Sequence, residues 1–307
     1  MSASRADLPV KLPLEFAFEG FRVVRERPVL IAWWGGFYLL SSLGVMCLLQ
    51  LLFGGLLARM GTILQPARDL PSLLRMLGEA GPLIAPIEGL SFVCYFLIIT
   101  VLTCAIFRAV LKTGTPAMGY LRFGRDELLQ LGVAILFLVI SVVVNVVFAG
   151  AGVLIGKTIA LSGLRALGFV TGLLLYGAAM VWFILRFSLY GVATFAQRRI
   201  ALLDAFRMTR GAFWPLLAGY LVALLMSVLV VVLFSLVNLP IQVVSQTPGV
   251  APSAVTGLQA LSRPGYFVSY LLSNGILVPL LLTISFAVPA AAYRLLIQAR
   301  TPAESVF

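Results

Sequence analysis

The chain has 307 residues, of which 61% are hydrophobic and only 11% charged, and its mean hydropathy is +1.08. A soluble domain carries about 25% charged residues, so this composition excludes a water-soluble globule and leaves lipid as the main solvent. The net charge of +11 would suggest nucleic acid in a soluble protein, but the cations cluster in the breaks between apolar runs, as the positive-inside rule expects, and no nucleic-acid partner is expected.

Residues 1 to 12 are polar and expected to be loose. From Pro13 to Arg27 the apolar residues Leu14, Phe18, Phe21 and Val24 recur at helical spacing, with Glu15, Glu19, Arg22 and Glu26 between them. This predicts an amphipathic helix lying along the headgroups, started by Pro13 and closed by Pro28. No charge follows from Pro28 to Ala58, which is enough for a first span at about 29–57. That run is too long for the core of a cleaved signal, so no signal peptide is expected. Trp33 and Trp34 near its start suggest an aromatic belt. Residues 58 to 82 read as a mixed loop with a short surface helix at Pro71–Leu77. A second span, at about 83–111, leads through a turn at 112–116 to a second amphipathic stretch, Met118 to Glu127.

A third span follows at about 128–155 and a fourth at about 167–196, interrupted only by Arg186. Arg198 and Arg199 open a third amphipathic stretch, Ile200 to Arg210, where Leu202, Leu203 and Phe206 share a face and Gly211 is placed to end the helix. The fifth span is at about 212–244. A Ser/Thr/Pro/Gly-rich connection from 245 to 266 precedes the sixth, at about 267–297, in which Pro279 and Pro289 should produce kinks. The four segments that would lie on one side of these spans hold 16 Lys and Arg and the other three hold 6, which puts both termini in the cytoplasm.

Each amphipathic stretch ends on an aromatic residue or Leu, then Arg, two residues and Arg: Phe21-Arg22-Val23-Val24-Arg25, Leu121-Arg122-Phe123-Gly124-Arg125 and Phe206-Arg207-Met208-Thr209-Arg210. Each even-numbered span carries a matching pair near its inner end, namely Phe107-Arg108, Leu185-Arg186 and Tyr293-Arg294. The register predicts an all-α polytopic bundle in a single integral membrane domain, residues 1–307. It is built from three repeated units, 13–112, 116–197 and 198–299, each an amphipathic lead-in helix plus a transmembrane hairpin. Two roles stay open for Arg22, Arg25, Arg108, Arg122, Arg125, Arg186, Arg207, Arg210 and Arg294. They can snorkel to lipid headgroups, or latch the lead-in helices by pairing with Glu15, Glu19, Glu26, Asp126, Glu127 and Asp204.

Chemistry is hard to draw from this sequence. It contains no His, which removes the commonest general base and metal ligand. No carboxylate lies well inside a span, Glu88 falling near the outer start of the second, and no Gly-rich phosphate loop follows a strand. No catalytic, cofactor or metal site is expected. Cys47, Cys94 and Cys104 sit in apolar runs as small hydrophobes rather than as a disulfide framework. Gly35-Gly36 and Gly150-Ala151-Gly152 suit close helix contacts, and Asn145, Asn238 and Asn274 suit hydrogen bonds between helices.

The stretch Asp204-Ala205-Phe206-Arg207-Met208-Thr209-Arg210-Gly211-Ala212-Phe213-Trp214-Pro215-Leu216-Leu217 resembles the phrase before a span in the bacterial membrane-domain families associated with glycerophosphoryl diester phosphodiesterases and their uncharacterised six-span relatives. Leu121-Arg122-Phe123-Gly124-Arg125-Asp126-Glu127-Leu128 is similar to the phrase opening the third span in proteobacterial members of that kind. The resemblance implies a helical inner-membrane fold and brings no catalytic residues, since the diesterase's separate catalytic domain has no counterpart here. The functional expectation is a non-enzymatic structural, scaffolding or lipid-associated protein of the bacterial inner membrane. Its partners would be membrane lipids, anionic headgroups among them, and a membrane-protein partner. The alternative is a transporter or permease-like protein with a path between the hairpins. A water-filled cavity lined by Asn145 or Arg186 would favour the transporter, and a tight interior with a groove at the inner face would favour the first reading.

Overall fold

The computed structural model describes residues 13–63, 70–113, 117–161, 164–245 and 261–304. The expectations for residues 1–12 and for most of the connection at 245–266 lie outside them. Among the described residues all regular structure is helical. A 3₁₀ turn at Leu14–Phe18 leads into α1 (Glu19–Glu26), followed by α2 (Pro28–Ile63) and α3 (Leu70–Leu111). After a second 3₁₀ turn at Ala117–Tyr120 come α4 (Arg125–Leu161), α5 (Arg165–Phe187), α6 (Tyr190–Gln197), α7 (Leu202–Met208) and α8 (Phe213–Ser245). The last span is α9 (Pro264–Leu272), a π-turn at Ser273–Leu277 and α10 (Val278–Glu304).

Six stretches are long and apolar enough to cross a membrane: Pro28–Leu57, Gly81–Leu111, Met118–Ile159, Ala166–Gln197, Phe213–Ile241 and Pro264–Ala299. The protein is therefore a multi-pass integral membrane protein. Consecutive spans form neighbouring pairs, α2 with α3, α4 with α5, and α8 with α9 and α10. The centre is the C-terminal half of α3 and the stretch of α10 from Ile284 to Leu296. Half of the sixth apolar window is buried, against 6% of those of α4 and α8. Ala287, Ala290, Ala291 and Ala292 are buried along α10, and such small side chains let neighbouring helices approach without a hydrophobic drive between them.

Several boundaries differ from the sequence reading. The region read as a loop at 58–82 is largely helical: α2 runs on to Ile63, and α3 begins at Leu70 and passes through Pro82 and Pro86. Charges there misled the reading, because a helix that outlasts the hydrocarbon keeps its backbone bonds whatever its side chains are. The fourth span is not continuous. It breaks at Ser188–Leu189, where the Ser188 hydroxyl donates to the Leu185 carbonyl. The sixth is interrupted just before Pro279. Having no N–H, Pro279 leaves the carbonyl of Gly275 without its helical donor, and this carbonyl faces Gly35 of α2.

The amphipathic lead-in elements also need correction. The first has a buried face in addition to the outward face of Leu14 and Phe18 that the amphipathic pattern marked. It docks by Phe16, Ala17, Gly20 and Val23, while Leu14 and Phe18 are exposed. The Phe16 ring lies against Gly219 of α8, and Gly20 lies against the backbone of Ile284 in α10. Glycine was not counted as an apolar position, so the buried face was missed. The second stretch, Met118–Glu127, is not a lead-in helix at all: Met118, Gly119 and Tyr120 have positive φ angles of 49°, 66° and 63°, and α4 starts only at Arg125. The third is helical as α7 but buries Leu202, Ala205 and Met208 and leaves Leu203 exposed. Gly211, at φ 85°, stands just past its end as expected.

Glycines set the tightest crossings. A Cβ on Gly35 would fall 2.0 Å from the Gly275 carbonyl oxygen, whereas Gly36 has open space. Gly152 and Gly156 of α4 face Gly172 and Gly168 of α5 in the same manner. Gly35→Leu is expected to destabilise the protein by about 1–3 kcal/mol through overpacking, and Gly36→Leu to leave thermal stability in detergent nearly unchanged. Equal melting temperatures for the two variants would remove the crossing from this account.

Candidate functional site

One end of the bundle carries a layer of charge. It gathers the N-terminal 3₁₀ turn and α1, the ends of α3, α5, α6 and α10, the start of α4, and α7. The ion pairs Arg22–Glu19, Arg22–Glu26, Arg108–Asp126, Arg108–Glu127, Arg198–Asp126, Arg199–Asp204 and Arg294–Glu19 all lie there.

Arg108 sits at its centre, 6% exposed, and pairs with Glu127, also 6% exposed, in the first turn of α4. Asp126 lies 3.4 Å away. Arg108 also donates to the Tyr120 carbonyl at 3.2 Å and stands 5.4 Å from the centre of the Phe195 ring. These contacts explain the irregular chain before α4. The indole N–H of Trp34 donates to the Gly119 carbonyl at 2.8 Å, and Arg27 donates to the Tyr120 hydroxyl at 3.1 Å. Carbonyls bonded to side chains of α2 and α3 replace the helix that the sequence pattern called for. Trp34 is 1% exposed, so it is a core residue that anchors this turn and not part of an aromatic belt; Trp33 beside it is half-exposed.

The other two span-end arginines behave differently. Arg294 reaches back to Glu19 at 3.4 Å and donates to the Val110 carbonyl at 3.2 Å. It thereby ties α10 to α1 and α3. Glu19 is buried and also accepts from Arg22 at 2.6 Å. Arg186 has no carboxylate beside it among the described residues, contrary to the latch expectation. Its guanidinium stands 5.8 Å from the Trp182 ring centre and 5.0 Å from that of Phe206. Its Nε and Nη1 are buried without a hydrogen-bond acceptor among the described residues. Ring faces attract a cation, by about 2 kcal/mol when water is excluded, so aromatic side chains take the place of an acid. The link to α7 is made instead by the Thr209 hydroxyl, which donates to the Arg186 carbonyl at 3.0 Å.

The remaining named arginines point outward. Arg22, Arg25, Arg122, Arg125, Arg207 and Arg210 are exposed. Arg122 and Arg125 lie beside Arg108 along a cavity of about 430 Å³, and Arg207 and Arg210 are not among its lining residues. Arg198, which the sequence pattern did not single out, faces the same cavity. Its backbone is left-handed at φ 52°. The sequence marked it only as the opening of the third amphipathic stretch, because its carboxylate partner, Asp126, lies on α4.

The polar residues within spans tie helices together. The Tyr176 hydroxyl of α5 donates to Asn145 of α4 at 3.2 Å, and the Ser269 hydroxyl of α9 donates to Asn238 of α8 at 2.9 Å. Asn274 bonds within its own turn, to the Tyr270 carbonyl. A groove of about 370 Å³ between α4 and α5 is lined almost wholly by apolar and Gly residues. Cys47, Cys94 and Cys104 are all free thiols. Among the described residues no group of His, Cys, Asp and Glu is placed to hold a metal.

No protein-family model, no curated protein and no solved structure matches this chain.

The Arg108–Glu127 pair makes a quantitative prediction. Removing one partner strands a buried charge at a cost of about 3–5 kcal/mol, so Arg108→Gln and Glu127→Gln should each lower unfolding stability in micelles by that order. The double variant R108Q/E127Q should lose less than the sum, leaving a coupling energy of about 1–3 kcal/mol. Strictly additive losses would show that the two side chains do not hold each other.

Proposed function

We propose that this is a non-enzymatic protein of a bacterial inner membrane that associates with and organises anionic lipid at the cytoplasmic face. The observation that carries the reading is the charged layer. Exposed Arg22, Arg25, Arg122, Arg125, Arg207 and Arg210 stand at one end of a largely apolar surface. Each basic residue near an anionic membrane surface contributes about 1 kcal/mol of attraction. The buried pair Arg108–Glu127 and the partly buried pair Arg294–Glu19 hold the helix ends together, so that the outer arginines are presented on a fixed frame.

Orientation follows from charge, because the positive-inside rule places the arginine-rich end in the cytoplasm together with both termini. The resemblance of the Asp204–Leu217 and Leu121–Leu128 stretches to bacterial membrane-domain families supports the same membrane, and the complete absence of His supports a role without acid–base chemistry. A path between the hairpins has less behind it. Asn145 is engaged by Tyr176 and Arg186 is sandwiched by aromatic rings, and neither lines the cavities of about 430 and 370 Å³.

Two measurements test the proposal. Reporter fusions after residues 65, 160 and 255 should all read as non-cytoplasmic, and a cytoplasmic signal from any of them contradicts the orientation. Protein purified from native membrane should carry anionic lipids enriched over the bulk composition. Bulk-like lipid content would remove the lipid-organising role.

A further inference from the structure

The cavity of about 430 Å³ beside the start of α4 is lined by four guanidiniums, from Arg108, Arg122, Arg125 and Arg198, and two carboxylates, from Asp126 and Glu127. Arg108 and Glu127 are each 6% exposed and face each other, so they form a neutralised floor. Asp126 is shared between Arg108 at 3.4 Å and Arg198 at 4.0 Å. By count the lining holds two more guanidiniums than carboxylates, and the Arg198 side chain is 80% exposed.

The walls are set by the fold. Tyr120 and Arg198 both have left-handed backbones, a region that L residues seldom occupy. Tyr120 is held there by Arg27 and Arg108. The first turn of α4 adds backbone N–H groups without helical acceptors and the positive end of a 37-residue helix. Planar guanidiniums bind phosphate oxygens in pairs, so the chemistry of the cavity is that of a phosphate seat.

The rim identifies the bearer of the phosphate. Phe123, which lines the cavity, is 79% exposed, and Leu128 and Met118, five residues either side of it in the chain, are 71% and 69% exposed. A free phosphate in water needs none of these, whereas a lipid carries its phosphate next to its acyl chains. We propose that the cavity seats the headgroup of a doubly anionic phosphomonoester lipid, its phosphate on Arg122, Arg125 and Arg198 and its chains along Phe123 and Leu128. This rests on the lipid-associated reading above and adds to it a site and a preferred charge.

The test is a titration of the purified full-length protein in neutral detergent, followed by native mass spectrometry and thermal shift. The probes are short-chain phosphatidic acid, phosphatidylglycerol, phosphatidylcholine and inorganic phosphate. Phosphatidic acid is expected to bind saturably and about tenfold more tightly than phosphatidylglycerol. The variant R125Q/R198Q should lose at least about tenfold in that affinity, while the control K157Q, an exposed cation near the opposite end of α4, should stay within about twofold. If R125Q/R198Q fails to fold, R122Q alone serves, since its backbone lies outside any helix; a loss of roughly threefold or more supports the site and no loss overturns it. Unchanged binding in R125Q/R198Q overturns the site while leaving general lipid association standing. Inorganic phosphate binding as tightly as phosphatidic acid overturns the lipid and leaves a soluble anion as occupant. Phosphatidylcholine binding as well as both anionic lipids overturns the site and the lipid-organising reading together.

Discussion

A guanidinium drawn below the headgroups must find counter-charge and acceptors within the protein, because hydrocarbon offers neither. In this chain the requirement falls most heavily on Arg108. Its charge is met by Glu127 and Asp126, one N–H is met by the Tyr120 carbonyl, and its flat face is met by Phe195. Satisfying one side chain thus fixes the start of α4, the turn before it and the placement of α6. Much of the charged layer follows from that arrangement.

The same requirement is met in three chemical ways at three comparable positions. Arg108 uses carboxylates on the helix that follows it in sequence. Arg294 uses Glu19, at the opposite end of the chain, so that the first and last elements close on each other. Arg186 uses the faces of Trp182 and Phe206. Ion pairs need matching geometry and a desolvation cost that is repaid only by good hydrogen bonds; ring faces ask for less geometry and leave some N–H groups without acceptors. The three ends therefore share a motif in sequence without sharing a mechanism of attachment.

The six spans were legible because an uncharged run of about 20 residues or more leaves few alternatives. The pairing of Arg108 with Asp126 and Glu127, and of Arg294 with Glu19, was legible as a possibility because acids and bases fell at the same end of successive spans. What escaped depended on contacts distant in sequence. Gly20 looked like a gap in an amphipathic face, yet it is the point where α1 touches the α10 backbone. Met118–Tyr120 looked helical because its local pattern was apolar and polar by turns, yet Trp34 and Arg108 claim its carbonyls. Trp34 looked interfacial because aromatic residues near span ends commonly are. Arg198 carried no motif, and its place at the cavity arises from the break after α5, which a continuous apolar run conceals.

The α4–α5 pair has a mechanical consequence. Gly152, Gly156, Gly168 and Gly172 bring the two backbones into direct contact, and both helices meet the rest of the protein chiefly through α3, α6 and α7. The pair is thus a stiff rod clamped at one foot. With 37 residues in α4 and a rise of 1.5 Å per residue, the rod is about 55 Å long. By that length, a tilt of about 5° at the foot would carry the tip sideways by about 5 Å, about the width of a lipid chain.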